Sequence, residues 1–228
     1  MRRTIVTAGV LALSTALAAG AFAQSNTMLS FTGFMYESIN QAGVQGFPPS
    51  NPGDQLALVG FIESVGPELD WDPSQVQLTI YLSGLISNGT LDFGTGMFYI
   101  VYGGGAIDIV ADPHLGGTVP VYGADPPNAT APATFTDGDL YLHGEFTSFY
   151  MTYHPTLHVG SFEGYVVWTG GSQLAALYSQ GYTVAGTVDP FGAPVPTGYD
   201  LEADGHISFD PAIRIEDNTW GRLKSLYR

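Results

Sequence analysis

Leu201-Glu202-Ala203-Asp204-Gly205-His206-Ile207-Ser208-Phe209 alternates without a break between apolar or glycine residues and polar ones. Successive side chains of an extended strand point to opposite faces, so this period of two describes a strand with one dry face and one wet face. The same reading applies to Leu29–Met35, where the odd positions are apolar or glycine. It applies to Val76–Leu82, where the even positions are aliphatic, and to Asp139–Phe146, where the even positions are assigned to the inside. Four further stretches, 56–62, 98–102, 107–110 and 165–168, are more continuously apolar and read as strands covered on both faces.

Turn chemistry separates these segments. Gly46–Gly53 is a proline-rich loop, Asn88-Gly89 is a hairpin dipeptide, and Gly103-Gly104-Gly105, 113–117 and 124–132 are further breaks. One helix is expected over Ser172–Gln180. Ser172 would cap it, Leu174, Leu177 and Tyr178 would form its face, and Gly181 would sit just past its end. Short, turn-rich links without alternating long helices imply antiparallel order. The expected fold is all-β, an antiparallel sandwich or jelly-roll-like arrangement of roughly ten strands. An outer-membrane barrel is the rival, suited by alternating strands, abundant aromatics and an acidic composition. Fifteen prolines and the short strands weigh against its roughly ten-residue strand rhythm.

Charge divides the chain into three. No lysine or arginine occurs between Thr4 and Ile213; all six lie at the ends, as Arg2, Arg3, Arg214, Arg222, Lys224 and Arg228. Of the 21 acids, only Glu216 and Asp217 fall within the last basic segment. Residues 1–23 read as a signal peptide, with Arg2-Arg3, an apolar run over Ile5–Ala18 and an Ala21-Phe22-Ala23 cleavage site. This implies export and a secreted or cell-surface location. Residues 24–213 form one β domain, and 214–228 a basic aromatic tail. Without cations the body lacks what phosphate binding needs, so nucleic acid is excluded as its partner. The absence of cysteine excludes disulfides and thiolate metal sites.

Two acidic strings are candidate calcium ligands, since calcium takes several oxygens. Asp200, Glu202 and Asp204 followed by Gly205 resemble the front half of an EF-hand loop, but the twelfth position is Pro211 rather than a bidentate glutamate. Glu68, Asp70 and Asp72 form the second string. It is similar to the Glu-x-Asp-x-Glu signature of jelly-roll β-glucan hydrolases, which implies a nucleophile at Glu68 and an acid/base at Asp72. The terminal aspartate and the flanking Pro67 and Pro73 depart from that signature, and an acidic loop is the preferred reading. His154 and His158 have a helical zinc spacing, which Pro155 opposes. Trp71, Trp168 and Tyr141 are candidates for stacking on a sugar, which would make the chain a carbohydrate-binding module.

In the tail, Trp220, Leu223 and Tyr227 fall on one helical face, with Arg222 and Lys224 off it. The ending Trp220-Gly221-x-x-Lys224-x-x-Tyr227-Arg228 resembles one that closes other secreted bacterial β-rich proteins of uncharacterised function. That resemblance implies a shared export or attachment signal. The functional expectation is a non-enzymatic surface or extracellular protein, without a cofactor unless calcium binds. Trp220, Arg222, Lys224, Tyr227 and Arg228 would dock on an anionic surface: the chain's own body, a second copy or an envelope polymer.

Overall fold

The computed structural model describes residues 26–38, 47–118, 122, 133–177, 181–189, 195 and 198–209. Nine strands lie in one sheet: β1 (Asn26–Ser38), β2 (Gln55–Val65), β3 (Val76–Asp92), β4 (Phe98–Gly103), β5 (Ala106–Pro113), β6 (Asp139–His154), β7 (Val159–Gly170), β8 (Gly181–Val188) and β9 (Leu201–Phe209). Every pairing is antiparallel, and β1 pairs with β2 on one edge and β9 on the other. That last pairing closes the sheet into a barrel and corrects the expected sandwich or jelly roll. Both architectures bury one face of alternating strands, so the alternation could not separate them.

The barrel is eight strands around, with one extra segment. β3 pairs with β5 through its first half, from Val76↔Pro113 to Ser83↔Ala106, and with β4 through its second, from Ile86↔Gly103 to Asp92↔Phe98. β6 pairs with both in the same way. β4 and β5 therefore fill one position in the ring, separated by Gly104 and Gly105. Both glycines have positive φ (67° and 95°), which β-carbon-bearing residues rarely adopt. The expected ten strands reduce to nine among the described residues.

The interior is apolar, and the outer wall carries polar side chains along β7 and β9 and an aromatic cluster along β1 and β2. In β7, Phe162, Gly164, Val166 and Trp168 are buried, while Ser161, Glu163 and Tyr165 are exposed. In β9, Leu201, Ala203, Gly205 and Ile207 point inward and Glu202, Asp204, His206 and Ser208 outward. Phe31, Phe149, Phe162, Trp168, Tyr182 and Met35 are among the fully buried side chains of the core. An eight-stranded ring has an interior just wide enough for side chains to fill. Tight curvature needs glycine where neighbouring backbones crowd. A β-carbon on Gly33 would come within 2.3 Å of the Val59 carbonyl oxygen, and one on Gly60 within 2.3 Å of that of Thr32.

β6 departs from the expected even-inward pattern. Leu142, Gly144 and Phe146 are buried, but Leu140 is 45% exposed. A register shift between Phe146 and Ser148 then moves the inward set to Phe149, Met151 and Tyr153. Over Ser172–Gln180 the expected helix is not formed: the described part holds only a 3-10 turn at Leu174–Ala176, and 178–180 lie outside the described residues. Its lead residue is Gln173 rather than Ser172, with no side-chain cap. Leu174, Ala176 and Leu177 pack on the end of the core instead. No helix among the described residues is long and apolar enough to cross a membrane.

Candidate functional site

Two places gather chemistry. The first is the barrel mouth where β1 ends and β2 and β9 begin. Inward positions of β1 run Leu29, Phe31, Gly33, Met35 and then Glu37, so the strand's own period carries a carboxyl into the mouth. Glu37 is 8% exposed and Ser50, from the proline-rich loop, 2%. The Ser50 hydroxyl lies 2.5 Å from Glu37 Oε1 and 2.5 Å from the Ser87 hydroxyl of β3. The loop is stitched to β3 by Thr90, which receives the Ser50 amide at 2.8 Å and donates to the Ser50 carbonyl at 2.9 Å.

Glu37 Oε2 is buried without a hydrogen-bond partner. The Tyr102 hydroxyl lies beside Glu37 and Ser50 but also lacks a well-directed bond. Burial, opposed by the Ser50 hydroxyl and reinforced by Asp54 and Asp200, pushes the Glu37 carboxyl up to about 7. Burial and the Glu37 charge push the Tyr102 hydroxyl well above its usual range. Across the mouth, Tyr153 donates to Asp189 Oδ2 at 3.0 Å, and Asp189 Oδ1 accepts the Glu202 amide at 3.1 Å. The mouth is thus a buried polar network that ties the β1–β2 loop and the β8–β9 connection to the strand ends.

The second place lies on the outer wall of β1 and β2. Phe34, Val59, Phe61 and Phe135 line a pocket of about 80 Å³ together with Thr32 and Glu202. Phe135 arrives on a 3-10 turn, Ala133–Phe135, held by its carbonyl accepting from the Thr79 hydroxyl at 2.8 Å. Tyr122, Phe61 and Phe135 pack ring to ring, as do Phe34, Tyr36 and Tyr199. Glu202 Oε2 is buried there without a hydrogen-bond partner. The hydroxyl of Thr32, another lining residue, donates to Glu63 Oε1 at 3.2 Å.

The sequence-predicted residues are dispersed. Asp200 is at the mouth, where its Oδ2 accepts the Glu37 amide at 2.7 Å; Glu202 and Asp204 follow it along the outer wall. Glu68, Asp70 and Asp72 lie in the β2–β3 connection at the other end of the barrel. Asp72 accepts from the Ser74 amide and hydroxyl, which hold its carboxyl below the usual range. Asp70 offers its carbonyl to the Tyr141 hydroxyl at 2.9 Å. Among the described residues no three His, Cys, Asp or Glu side chains are grouped so as to hold a metal ion. Trp168 is 1% exposed inside the barrel and Tyr141 5%, so neither ring has a face free for a sugar. Trp71 is half-buried, its indole N–H donating to the Val76 carbonyl at 2.9 Å. Tail residues Trp220, Arg222, Lys224, Tyr227 and Arg228 lie outside the described residues, as does the expected signal segment, 1–23.

Sequence reasoning missed Glu37, Ser50, Ser87 and Tyr102, and the cluster around Phe34, Phe61 and Phe135. Two signals were present. An acid continued the inward period of β1, and apolar residues occupied both faces of Phe34–Tyr36 and 56–62. One further pair, His143 Nδ1 and Asp108 Oδ1 at 2.6 Å, bridges β5 and β6 on the outer wall. Comparison of the chain with protein families, with curated proteins and with solved structures gives no match.

Proposed function

We propose that this chain is an exported, non-enzymatic β-barrel of the cell surface or extracellular space. Its role is adhesive, structural or assembly-related, and its basic aromatic tail docks on an anionic surface. One observation carries this reading. The outer wall presents carboxylates from five strands (Glu63, Asp108, Glu145, Glu163, Glu202 and Asp204), with no lysine or arginine anywhere among the described residues. Such a wall offers cations a broad field and repels anions. The polarity of the barrel supports a water-facing surface over a bilayer-spanning one. A spanning barrel carries its apolar band outside, and here Phe162, Val166 and Trp168 of β7 and Leu201, Ala203 and Ile207 of β9 are inside, with Glu163, Glu202 and Asp204 outside.

The test is light scattering on Gln24–Arg228 without detergent, at low and high salt, with and without calcium. Alongside it runs a chain lacking Glu216–Arg228. Assembly that dissolves in salt and is lost with the tail supports docking. A salt-indifferent monomer that binds no anionic polymer through its tail overturns it, and insolubility without detergent favours a membrane barrel.

A further inference from the structure

We propose that the outer-wall pocket binds one guanidinium or ammonium group, supplied in cis by the chain's own segment Thr219–Arg228. This rests on the tail-docking reading above and gives the tail a specific seat. A ligand pocket for a drug-sized molecule spans roughly 300–1,000 Å³. At about 80 Å³ this one admits a single head group. Its chemistry selects a cation. Phe34, Phe61 and Phe135 line it with aromatic rings, whose π-systems attract cations, and Glu202 of the same lining has a buried carboxylate oxygen without a hydrogen-bond partner. A buried acceptor without a donor is costly, and a charged donor relieves that cost most fully.

Within the mature chain only the tail has such groups: Arg214, Arg222, Lys224 and Arg228. Reach then chooses among them. Glu202 lies seven residues back from Phe209 along β9, or roughly 23 Å at strand rise. The Cα of Arg214, five residues beyond Phe209, extends at most roughly 18 Å, so its head group would arrive only with chain and side chain both fully stretched, whereas Arg222 and Lys224 extend beyond 40 Å. A single head-group contact between separate molecules is weak. Attachment through a short linker raises the local concentration to about the millimolar range, which favours occupancy in cis.

The body contains no lysine or arginine, so trypsin can cut Gln24–Arg228 only within the tail. A docked head group cannot enter the protease's specificity pocket. At low salt, cleavage after the docked one of Arg222 and Lys224 should be roughly tenfold slower in the unsubstituted chain than in Glu202→Gln, by the strength of a charged hydrogen bond. Cleavage after Arg214 should match in both. High salt should bring the unsubstituted chain to the Glu202→Gln rate. Asp204→Asn changes the charge equally on the same strand outside the pocket and should keep the protection.

Equal rates in all three chains at low salt would overturn the pocket assignment. If salt-reversible assembly persisted in that case, tail docking would survive without this seat. Should Glu202→Gln unfold, carbodiimide coupling of the unsubstituted monomer decides instead, since Lys224 is its one lysine. Amide links from Lys224 concentrated at Glu202 support the proposal. Links scattered over Asp108, Glu145 and Glu163 overturn it.

Discussion

The Ser50 hydroxyl meets Glu37 Oε1 at 2.5 Å inside the barrel mouth, where both residues are more than nine-tenths buried. A proline-rich loop and the end of β1 are thereby joined through a carboxyl that holds its proton up to about pH 7. Because the folded pKa sits above the unfolded value, the proton is bound more tightly in the native state. The resulting stability is fully present below about 4.3, the unfolded value, and is lost as pH rises through about 7. The expected loss between pH 5 and pH 8.5 is on the order of 2 kcal/mol. Urea unfolding at the two pH values measures it. Glu37→Gln should flatten the dependence; an equally steep profile in that variant would assign the effect to other groups.

Tyr153 and Asp189 make the second tie across the same mouth. The hydroxyl donates to Asp189 Oδ2, and Asp189 in turn receives the Glu202 amide. Tyr153→Phe removes the donor and leaves a buried carboxylate oxygen short of a partner, at a cost of about 1–3 kcal/mol. The ring contact with Phe47 at 5.4 Å between centroids is retained, so the loss isolates the hydroxyl. Equilibrium denaturation of the two chains provides the comparison. A difference below about 0.5 kcal/mol would mean the hydroxyl is replaced by solvent.

Strand positions and faces were readable because a pleated strand writes its environment into every second residue. Leu201–Phe209 and Val76–Leu82 show it directly. Closure was not readable. The pairing of Gly33 with Ala203 on one side and Gly60 on the other is a long-range choice that leaves the local period unchanged. The expected helix failed for a related reason. Leu174 and Leu177 have helical spacing, yet their apolar surface is used by the end of the barrel core in a single 3-10 turn. At the mouth, Glu37 went unread although it continues the inward period of β1, and its neighbours Ser50, Ser87 and Tyr102 come from three other segments. The outer pocket was half legible. Apolar residues on both faces of 56–62 announced a second cover, though not that Phe135 would supply it.

Gly33 and Gly60 allow β1 and β2 to approach within the curved wall. Gly33→Ala places a methyl group 2.3 Å from the Val59 carbonyl oxygen, and Gly60→Ala one at the same distance from that of Thr32. Neither obstacle is a flexible side chain, so the strands must part. Each substitution should cost roughly 3 kcal/mol or more, in the range of severe overpacking. Gly103→Ala is the control: a β-carbon there meets nothing within 4 Å. Thermal midpoints should fall steeply for the first two and stay nearly unchanged for the third. Equal midpoints for Gly33→Ala and Gly103→Ala would remove the argument that glycine sets the curvature at this corner.

Trp168 separates a packing role from a sugar-binding one. Its ring is 1% exposed and lies in the core, edge-on to Tyr182 at 6.3 Å between centroids. Trp168→Ala should therefore act through stability, at about 3–5 kcal/mol, the usual cost of deleting a large buried aromatic. Trp71 is only partly buried and is pinned by its indole N–H to the Val76 carbonyl, so Trp71→Ala should cost less and change the surface more. A glycan array run below the unfolding midpoint of each variant distinguishes the two effects. If any glycan is retained by the unsubstituted chain, its loss should follow Trp71→Ala. Trp168→Ala should retain it for as long as the barrel is folded. Loss with Trp168→Ala in a demonstrably folded chain would place a ligand against the barrel interior.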